Sequence, residues 1–144
     1  MEYILYKNEY YNQYIKLIKE LWDDISSEEI TGIIEEHKTS NNKIFLAKDN
    51  SKIVGFLNSS IRNDYVEGSN GSPVGYIEGI YISEKYRKQQ IARELVNQLS
   101  HFYKTINICE IGSDIEIDNK QSDLFHQSIG FTDVGITKHF IKKI

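Results

Sequence analysis

The fold of this chain is decided by one stretch, Ile80-Tyr81-Ile82-Ser83-Glu84-Lys85-Tyr86-Arg87-Lys88-Gln89-Gln90-Ile91-Ala92. It closes an alternating β-type run, from Val74 to Ile82, and opens a helix near Ile91. The turn between them is basic, with Lys85, Arg87 and Lys88, and Arg93 one helical turn later. A helix N-terminus presents unpaired N–H groups and the positive end of a dipole. Basic residues there predict an anion site, and phosphate is the anion that suits it best.

The segments before this stretch predict a strand, two helices and a hairpin. The strand runs from Glu2 to Tyr6, and the first helix shows an apolar stripe between Tyr11 and Trp22. Ser26 and Glu29 form a capping box that starts the second helix. Two β-type runs, from Ile44 to Ala47 and from Ile53 to Leu57, then flank a turn-forming cluster at residues 49–51, and the second run extends to Arg62.

The segments after it complete one domain over residues 1–144. A glycine-rich loop from Asn63 to Pro73 precedes the strand, and the helix continues past Phe102. A strand from Ile106 to Ile117, a short helix from Gln121 to Ser128 and a final strand from Phe131 to Ile141 follow. The order β-α-α-β-β-β-α-β-α-β predicts an α/β fold with a mixed, mostly antiparallel sheet flanked by helices.

The composition excludes several classes of protein. With 144 residues, 40% hydrophobic and 26% charged, the chain is typical of a globular domain and unlike disordered or fibrous proteins. No apolar run approaches the about 20 residues of a membrane helix, and the first residues lack the basic region of a secretory signal. Cys109, expected to be a buried strand residue, has no partner for an internal disulfide. The four histidines do not fall at metal-site spacing: His37, His101, His126 and His139.

The charge is distributed unevenly along the chain. A net charge of −4 gives no global attraction to nucleic acid or anionic lipid. Residues 84–104 carry +3, whereas residues 63–80 carry −3 and residues 105–136 carry −5. A basic turn between two acidic stretches suggests a polyanionic cofactor that meets a cationic substrate. Charge runs are also common on solvated faces, so charge alone leaves both interpretations open.

The basic turn resembles the acetyl-coenzyme A signature of the GNAT N-acetyltransferases, a strand followed by Arg/Gln-x-x-Gly-x-Gly/Ala at a helix start. Asn119, His126 and Gly130-Phe131 resemble the second block of that superfamily, in which an Asn precedes a helix that ends in Tyr-x-x-x-Gly-Phe. Two departures stand out, because Gln90 replaces the Gly of the phosphate loop and His126 replaces the Tyr. Further stretches resemble the type I aminoglycoside 6′-N-acetyltransferases: Ser60 to Arg62, Tyr65 to Gly68, Ser72 to Tyr81, Ser113-Asp114 and Asp118-Asn119.

This resemblance implies a GNAT fold and acetyl-coenzyme A as co-substrate, without a metal. The strand residues Ile80, Tyr81 and Ile82 would offer backbone groups to the pantetheine arm. Asn119 would either hydrogen-bond that arm or cap the next helix. The pyrophosphate would meet, largely through backbone N–H groups, Arg87, Lys88, Gln90, Ile91 and Ala92.

The resemblance also implies which side chains would act on the substrate. Glu78 would hold or deprotonate the reacting amine, and Asp114 is the rival base or substrate anchor. His126 would protonate the departing thiolate. Without the resemblance, Glu78 would be a solvent-facing strand residue, and Trp22 fits core packing nearly as well as the substrate site. The substrate-binding residues implied are Trp22, Tyr65, Glu67, Glu78 and Asp114.

The expected activity is transfer of acetyl from acetyl-coenzyme A to the 6′-amine of an aminoglycoside, by direct attack in a ternary complex. One alternative is acetylation of another small polyamine or a protein amine. A second alternative is a GNAT-like domain that binds acyl-coenzyme A without catalysis. The chain is expected to be cytoplasmic and, from the family likeness, a homodimer, with no nucleic-acid or membrane partner.

Overall fold

The structure, a computed structural model, describes all residues from 1 to 144. Five strands and four α-helices follow one another along the chain. The strands are β1 (Glu2–Leu5), β2 (Ile44–Asp49), β3 (Lys52–Arg62), β4 (Val74–Ile82) and β5 (Ile111–Ser113). The helices are α1 (Tyr11–Leu21), α2 (Ser27–Thr39), α3 (Ile91–Thr105) and α4 (Lys120–Ser128). The predicted capping box is confirmed, since the Ser26 hydroxyl oxygen accepts a hydrogen bond from the Glu29 N–H at 3.0 Å.

The strands form a single mixed sheet in the order β1-β2-β3-β4-β5. All neighbours are antiparallel except β4 and β5, which are parallel because α3 carries the chain across the sheet between them. One apolar cluster packs α1 and α2 on one face, around Tyr14, Ile18 and Phe56. Another packs α3 on the opposite face, around Leu57, Leu95 and Leu99. The predicted fold class, a mixed sheet flanked by helices, is confirmed.

In the middle of the sheet, β4 has one residue more than the part of β3 that it pairs with. Gly79 pairs with Asn58 and Ile77 pairs with Ser59, so that Glu78 has no partner of its own on β3. Such a β-bulge bends the strand and re-aims a side chain, and bulges are frequent beside active sites. Glu78 is therefore turned toward the face that α1 and α2 cover.

The strands β4 and β5 pair over a short distance and then diverge. Their parallel register covers only Gly75 to Ile77 on β4, opposite Ile111 to Ser113 on β5. From Gly79 to Ile82, β4 continues to pair with β3 on its other side. The edge of β4 that faces β5 is therefore open beyond Ile77, and it leads to the start of α3.

Three sequence predictions near the C-terminus are wrong. The strand expected from Ile106 to Ile117 is limited to Ile111–Ser113, and Cys109 is exposed rather than buried. The strand expected from Phe131 to Ile141 does not form within this chain. Its apolar alternation suits a strand, but a strand needs a neighbour for its backbone groups. No backbone–backbone hydrogen bond joins residues 132–144 to the rest of the chain.

No helix is long and apolar enough to cross a bilayer, since the longest, α3, has 15 residues. No group of three or more His, Cys, Asp or Glu side chains is arranged to hold a metal ion.

Candidate active site

The backbone just before α3 is left-handed at two residues. Gln90, the N-cap residue, lies in the left-handed region at φ 66°, and Lys88 lies there as well at φ 60°. Glycine enters this region without steric cost, whereas other residues are strained in it. Gln90 therefore adopts a conformation that glycine would adopt without strain. The first N–H groups of α3 remain directed out of the helix, and the Arg87 guanidinium donates to the Ile82 carbonyl at 3.0 Å.

Replacing Gln90 with glycine is expected to stabilise the protein by about 1 kcal/mol, because it relieves left-handed strain. The same change is expected to tighten binding of acetyl-coenzyme A, since it also removes a side chain from the predicted phosphate site. Thermal unfolding and isothermal titration calorimetry measure the two effects. Gln89→Gly is the matched control, because Gln89 is not among the left-handed residues and gains nothing from glycine. Weaker cofactor binding in Gln90→Gly would instead assign a contact to the glutamine side chain.

The open edge of β4 connects this loop with the bulge. Ile80 and Tyr81 are half-buried and Ile82 is buried. The Tyr81 hydroxyl donates to a Glu20 carboxylate oxygen at 2.6 Å, which anchors its side chain to α1. The side chains of these residues are therefore held by the protein core, while the strand edge presents backbone groups.

Glu78 is held by a set of donors on β3. Its Oε1 accepts from the Ser60 hydroxyl at 2.5 Å and from the Arg62 Nε at 3.0 Å. Its Oε2 accepts from the Arg62 Nη2 at 2.9 Å. The carboxylate is thus fixed by a two-pronged guanidinium contact, and its side chain remains 37% exposed. Oε2, with a single partner, is the oxygen better placed to contact a ligand.

Asp114 joins the same surface through Tyr76. The Tyr76 hydroxyl donates to Asp114 Oδ2 at 2.5 Å, and the Arg62 guanidinium lies 3.4 Å above the Tyr76 ring centre. Burial, followed by the neighbouring Asp114 carboxylate, raises the pKa of the Tyr76 phenol. The phenol therefore keeps its proton and acts as the donor. Glu78 and Asp114, predicted from sequence as two separate acids, belong to one network.

Trp22 stands at the side of this network. It follows the last residue of α1, and its ring lies directly over the backbone of Gly79, where even an added Cβ would come within 2.5 Å of the indole. Trp22 and Glu78 line one shallow pocket together with Glu36, Asn58 and Ser60. The indole also packs on the α1–α2 core. Core packing of Trp22 is therefore confirmed, while its role in the substrate site stays a prediction that its place beside Glu78 allows.

The other predicted substrate residues lie apart, in the loop between β3 and β4. Tyr65 is 78% exposed, and its hydroxyl donates to a Glu67 carboxylate oxygen at 3.0 Å. Neither Tyr65 nor Glu67 lines the pocket that Trp22 and Glu78 share. Val134 of the C-terminal tail lies against Gly68 in this loop.

His126 and Asn119 are both engaged within the protein. The His126 Nδ1 lies 2.7 Å from the Ser122 carbonyl oxygen, so this nitrogen carries a proton and donates it there. The Nε2 forms a hydrogen bond with the Ser113 hydroxyl at 2.8 Å, which ties α4 to β5. The Asn119 Oδ1 accepts from the Ser122 N–H at 3.1 Å and caps α4, which was the alternative interpretation of this residue.

Four residues of the site were given no role by the sequence predictions, although they lie in the stretches that carry the resemblance: Ser60, Arg62, Tyr76 and Ser113. Ser60 and Arg62 alternate along β3, and Tyr76 precedes Glu78 by two positions on β4. Such two-residue spacing places side chains on one face of a strand, which was the available signal. The cross-strand pairing of Ser60 with Tyr76 required the register of the sheet.

Comparison with known proteins places this geometry in a family. Residues 5–131 match the acetyltransferase (GNAT) family. The chain is 33% identical over 134 residues to an aminoglycoside N(6′)-acetyltransferase type 1 of Acinetobacter haemolyticus, which covers 91% of this chain and 90% of the relative. A relative of the same name from Acinetobacter genomosp. 13 is 32% identical with the same coverage.

Two solved structures show the same architecture. The aminoglycoside acetyltransferase AAC(6′)-Iy, in complex with the bisubstrate analogue CoA-S-monomethyl-acetylneamine, superposes with a TM-score of 0.92 at 25% identity. This match covers 99% of this chain and 98% of that one. The aminoglycoside 6′-N-acetyltransferase AAC(6′)-Ih from Acinetobacter baumannii superposes with a TM-score of 0.90 at 28% identity and the same coverage. By sequence and by fold, the chain belongs to the acetyltransferase (GNAT) family.

Proposed function

We propose that this protein transfers acetyl from acetyl-coenzyme A to the 6′-amine of aminoglycoside antibiotics and thereby confers resistance. The observation that carries the proposal is the position of Glu78. This carboxylate belongs to the bulge residue of β4 and lies beside the Trp22 indole. The open edge of β4 begins at this bulge and leads to the N-terminus of α3. The named relatives, 32–33% identical over most of the chain, support the choice of substrate.

The open β4 edge and the α3 N-terminus fit acetyl-coenzyme A as co-substrate. The pantetheine arm would lie along the backbone of Ile80, Tyr81 and Ile82. Its pyrophosphate would meet the N–H groups at Gln90, Ile91 and Ala92 and the charges of Arg87 and Lys88. The Asn119 side chain amide, whose oxygen caps α4, would donate its NH₂ to the arm. Strand N–H groups near the bulge would polarise the thioester carbonyl.

The acidic network would receive the amine. A 6′-ammonium group loses its proton to Glu78, directly or through a water molecule, and the amine lone pair attacks the thioester carbon. The C–N bond forms as the C–S bond breaks, and the nitrogen of the new amide releases its remaining extra proton to water. The thiolate takes a proton from the Nε2 of His126 in its imidazolium form. The remaining ammonium groups would contact Asp114 and, on the neighbouring loop, Glu67 and Tyr65, with Trp22 against a sugar ring.

Replacing His126 with phenylalanine is expected to slow turnover modestly, by no more than about tenfold, because an imidazole that protonates the thiolate assists one step only. Steady-state thiol release measures the change. Ser113→Ala is the matched control, since it removes the hydrogen bond to Nε2 and keeps the imidazole. An unchanged rate in His126→Phe would mean that coenzyme A leaves without assistance.

A two-step experiment tests the proposed function. Acetyl-coenzyme A at a hundred times its dissociation constant is expected to add about 2.7 kcal/mol to the free energy of unfolding, which thermal unfolding detects. Thiol release is then followed on addition of a panel of aminoglycosides. No thermal shift at millimolar cofactor would contradict the enzyme. A shift without thiol release from any amine would favour a non-catalytic acyl-coenzyme A-binding domain, and release with other polyamines only would favour a different acceptor.

The C-terminal tail supports a homodimer as the assembled form. Val134, Ile136 and Phe140, at alternating positions of a tail without backbone partners, are 51%, 74% and 91% exposed. A second copy of this chain could cover this segment and pair its backbone. Analytical ultracentrifugation at micromolar concentration is expected to show a dimer that Ile136→Asp dissociates. A monomer at those concentrations would contradict the assembly.

The cytoplasm is the compartment that suits this chemistry. The exposed Cys109 thiol, the single cysteine, is compatible with a reducing environment. Fractionation of cells that express a tagged chain tests this placement, and recovery outside the cytoplasm would contradict it.

A further inference from the structure

Arg62 is the residue in the acidic site that the proposed function leaves unexplained. Its guanidinium donates two hydrogen bonds to Glu78, one to each carboxylate oxygen, and stacks 3.4 Å above the Tyr76 ring. Glu78 and the surrounding charges raise the pKa of Arg62, so the cation is permanent. A permanent cation weakens the attraction of this surface for a polycationic substrate. Arg62 therefore has a role other than attracting the substrate.

Stability alone is a poor explanation for this contact. Arg62 and Glu78 have side chains that are 39% and 37% exposed, and ion pairs at such exposure contribute little to folding. The geometry, by contrast, is specific. Glu78 is the bulge residue without a partner on β3, and its carboxylate would otherwise rotate about several side-chain bonds. The guanidinium fork and the Ser60 hydroxyl fix both oxygens at once.

We infer that Arg62 is a positioning residue that orients the Glu78 carboxylate toward the reacting amine, an inference that rests on the proposed acetyl transfer. Oε1 is occupied by Ser60 and Arg62, whereas Oε2 accepts only from Arg62. The fork therefore directs the remaining lone pair of Oε2 at the substrate. Arg62 itself touches no reacting atom.

Tyr76 extends this arrangement to the second acid. Its ring supports the flat face of the Arg62 guanidinium, and its hydroxyl holds Asp114. The ring is itself fixed in the sheet, since Ser60 is its partner across β3 and Gly112 its partner on β5. Arg62 thus sets the distance between the two acids that would receive neighbouring ammonium groups.

The test is a double-mutant cycle in which kcat is measured for each variant. Thiol release with neomycin as the substrate gives kcat. Arg62→Gln is expected to lower kcat by about 10- to 100-fold, because misplacing a reacting group by about 1 Å has effects of this size. Arg62→Lys keeps the charge but loses the fork, so it is expected to recover less than about a third of the lost activity. In a Glu78→Gln background, Arg62→Gln is expected to change kcat by less than about threefold, because Arg62 acts through Glu78.

Controls separate positioning from folding. Lys48→Gln removes the other ion pair of the chain, Lys48 with Glu2 at 3.1 Å, and is expected to leave kcat unchanged. All variants are expected to keep the thermal shift produced by coenzyme A. A full effect of Arg62→Gln in the Glu78→Gln background, complete rescue by lysine, or a lower KM for neomycin at unchanged kcat would each overturn the inference.

A readout without turnover distinguishes this inference from the proposed function. In ¹H–¹⁵N spectra of the unliganded protein, the Arg62 Nε–H is expected to exchange slowly with water and to lose this protection in Glu78→Ala, which removes the accepting oxygen. Fast exchange in the wild-type protein would overturn the inference that the Arg62 guanidinium holds Glu78, even if acetyl transfer occurs. A protected signal together with no thiol release from the wild-type protein would contradict the proposed function instead.

Discussion

Glu78→Gln is expected to lower turnover by about 10²- to 10⁴-fold, the usual loss when a general base is removed. Glutamine keeps the size of the side chain, and its amide oxygen can still accept from the Ser60 hydroxyl and the Arg62 Nε. It loses only the contact of Oε2 with the Arg62 Nη2. It cannot accept a proton from the ammonium group. Steady-state thiol release, with acetyl-coenzyme A saturating, measures the loss in kcat.

Asp114→Asn is the matched variant for Glu78→Gln, because it removes the other carboxylate of the same network. Asp114 already accepts from the Tyr76 hydroxyl and is proposed to anchor the substrate. The expected result is a higher KM for the aminoglycoside with kcat nearly unchanged. Near-normal turnover in Glu78→Gln, together with a large loss of kcat in Asp114→Asn, would transfer the base role to Asp114.

Neomycin is expected to be acetylated rapidly, and paromomycin is expected to release no thiol above the rate without an aminoglycoside. The two drugs differ only in bearing an amine or a hydroxyl at the 6′ carbon. A hydroxyl is a much weaker nucleophile, and a carboxylate such as Glu78 is too weak a base to deprotonate it. Thiol release under identical conditions compares the two rates.

Binding, in contrast, is expected to be similar for neomycin and paromomycin. They share nearly all the ammonium groups that the acidic residues Glu67, Glu78 and Asp114 would contact. Both affinities are expected to fall with added salt, since charges at the surface are screened over about 8–10 Å at ordinary ionic strength. Calorimetry at two salt concentrations tests this. Comparable thiol release with the two drugs would refute acetylation at the 6′ position.

The sequence was sufficient for the elements whose signals are local. The alternation of β4 and the helical period of α3 predicted this strand, this helix and the crossover that the helix makes. The capping box at Ser26 and Glu29 fixed the start of α2 within the sequence itself. Glu78 was identified only through its resemblance to a family, because nothing local distinguishes a bulge residue from a solvent-facing one.

The remaining features depend on contacts between distant segments. Arg62 and Glu78 are 16 residues apart in the sequence, and Tyr76 and Asp114 are 38 apart. Both hydrogen-bonded contacts therefore depend on the strand register. The left-handed backbone of Gln90 was unexpected because glycine usually occupies that region. Residues from 131 to 141 have the pattern of a strand but no strand within the chain to pair with, and a sequence pattern does not state where such a partner lies.

The position of the acetyl group on the product of neomycin tests the central claim most directly. The purified protein is incubated with acetyl-coenzyme A and neomycin, and the product is analysed by mass spectrometry and two-dimensional NMR. The account predicts a single acetyl group, on the 6′ nitrogen. A product acetylated on any other nitrogen, or no product from a protein that binds both ligands, would contradict it.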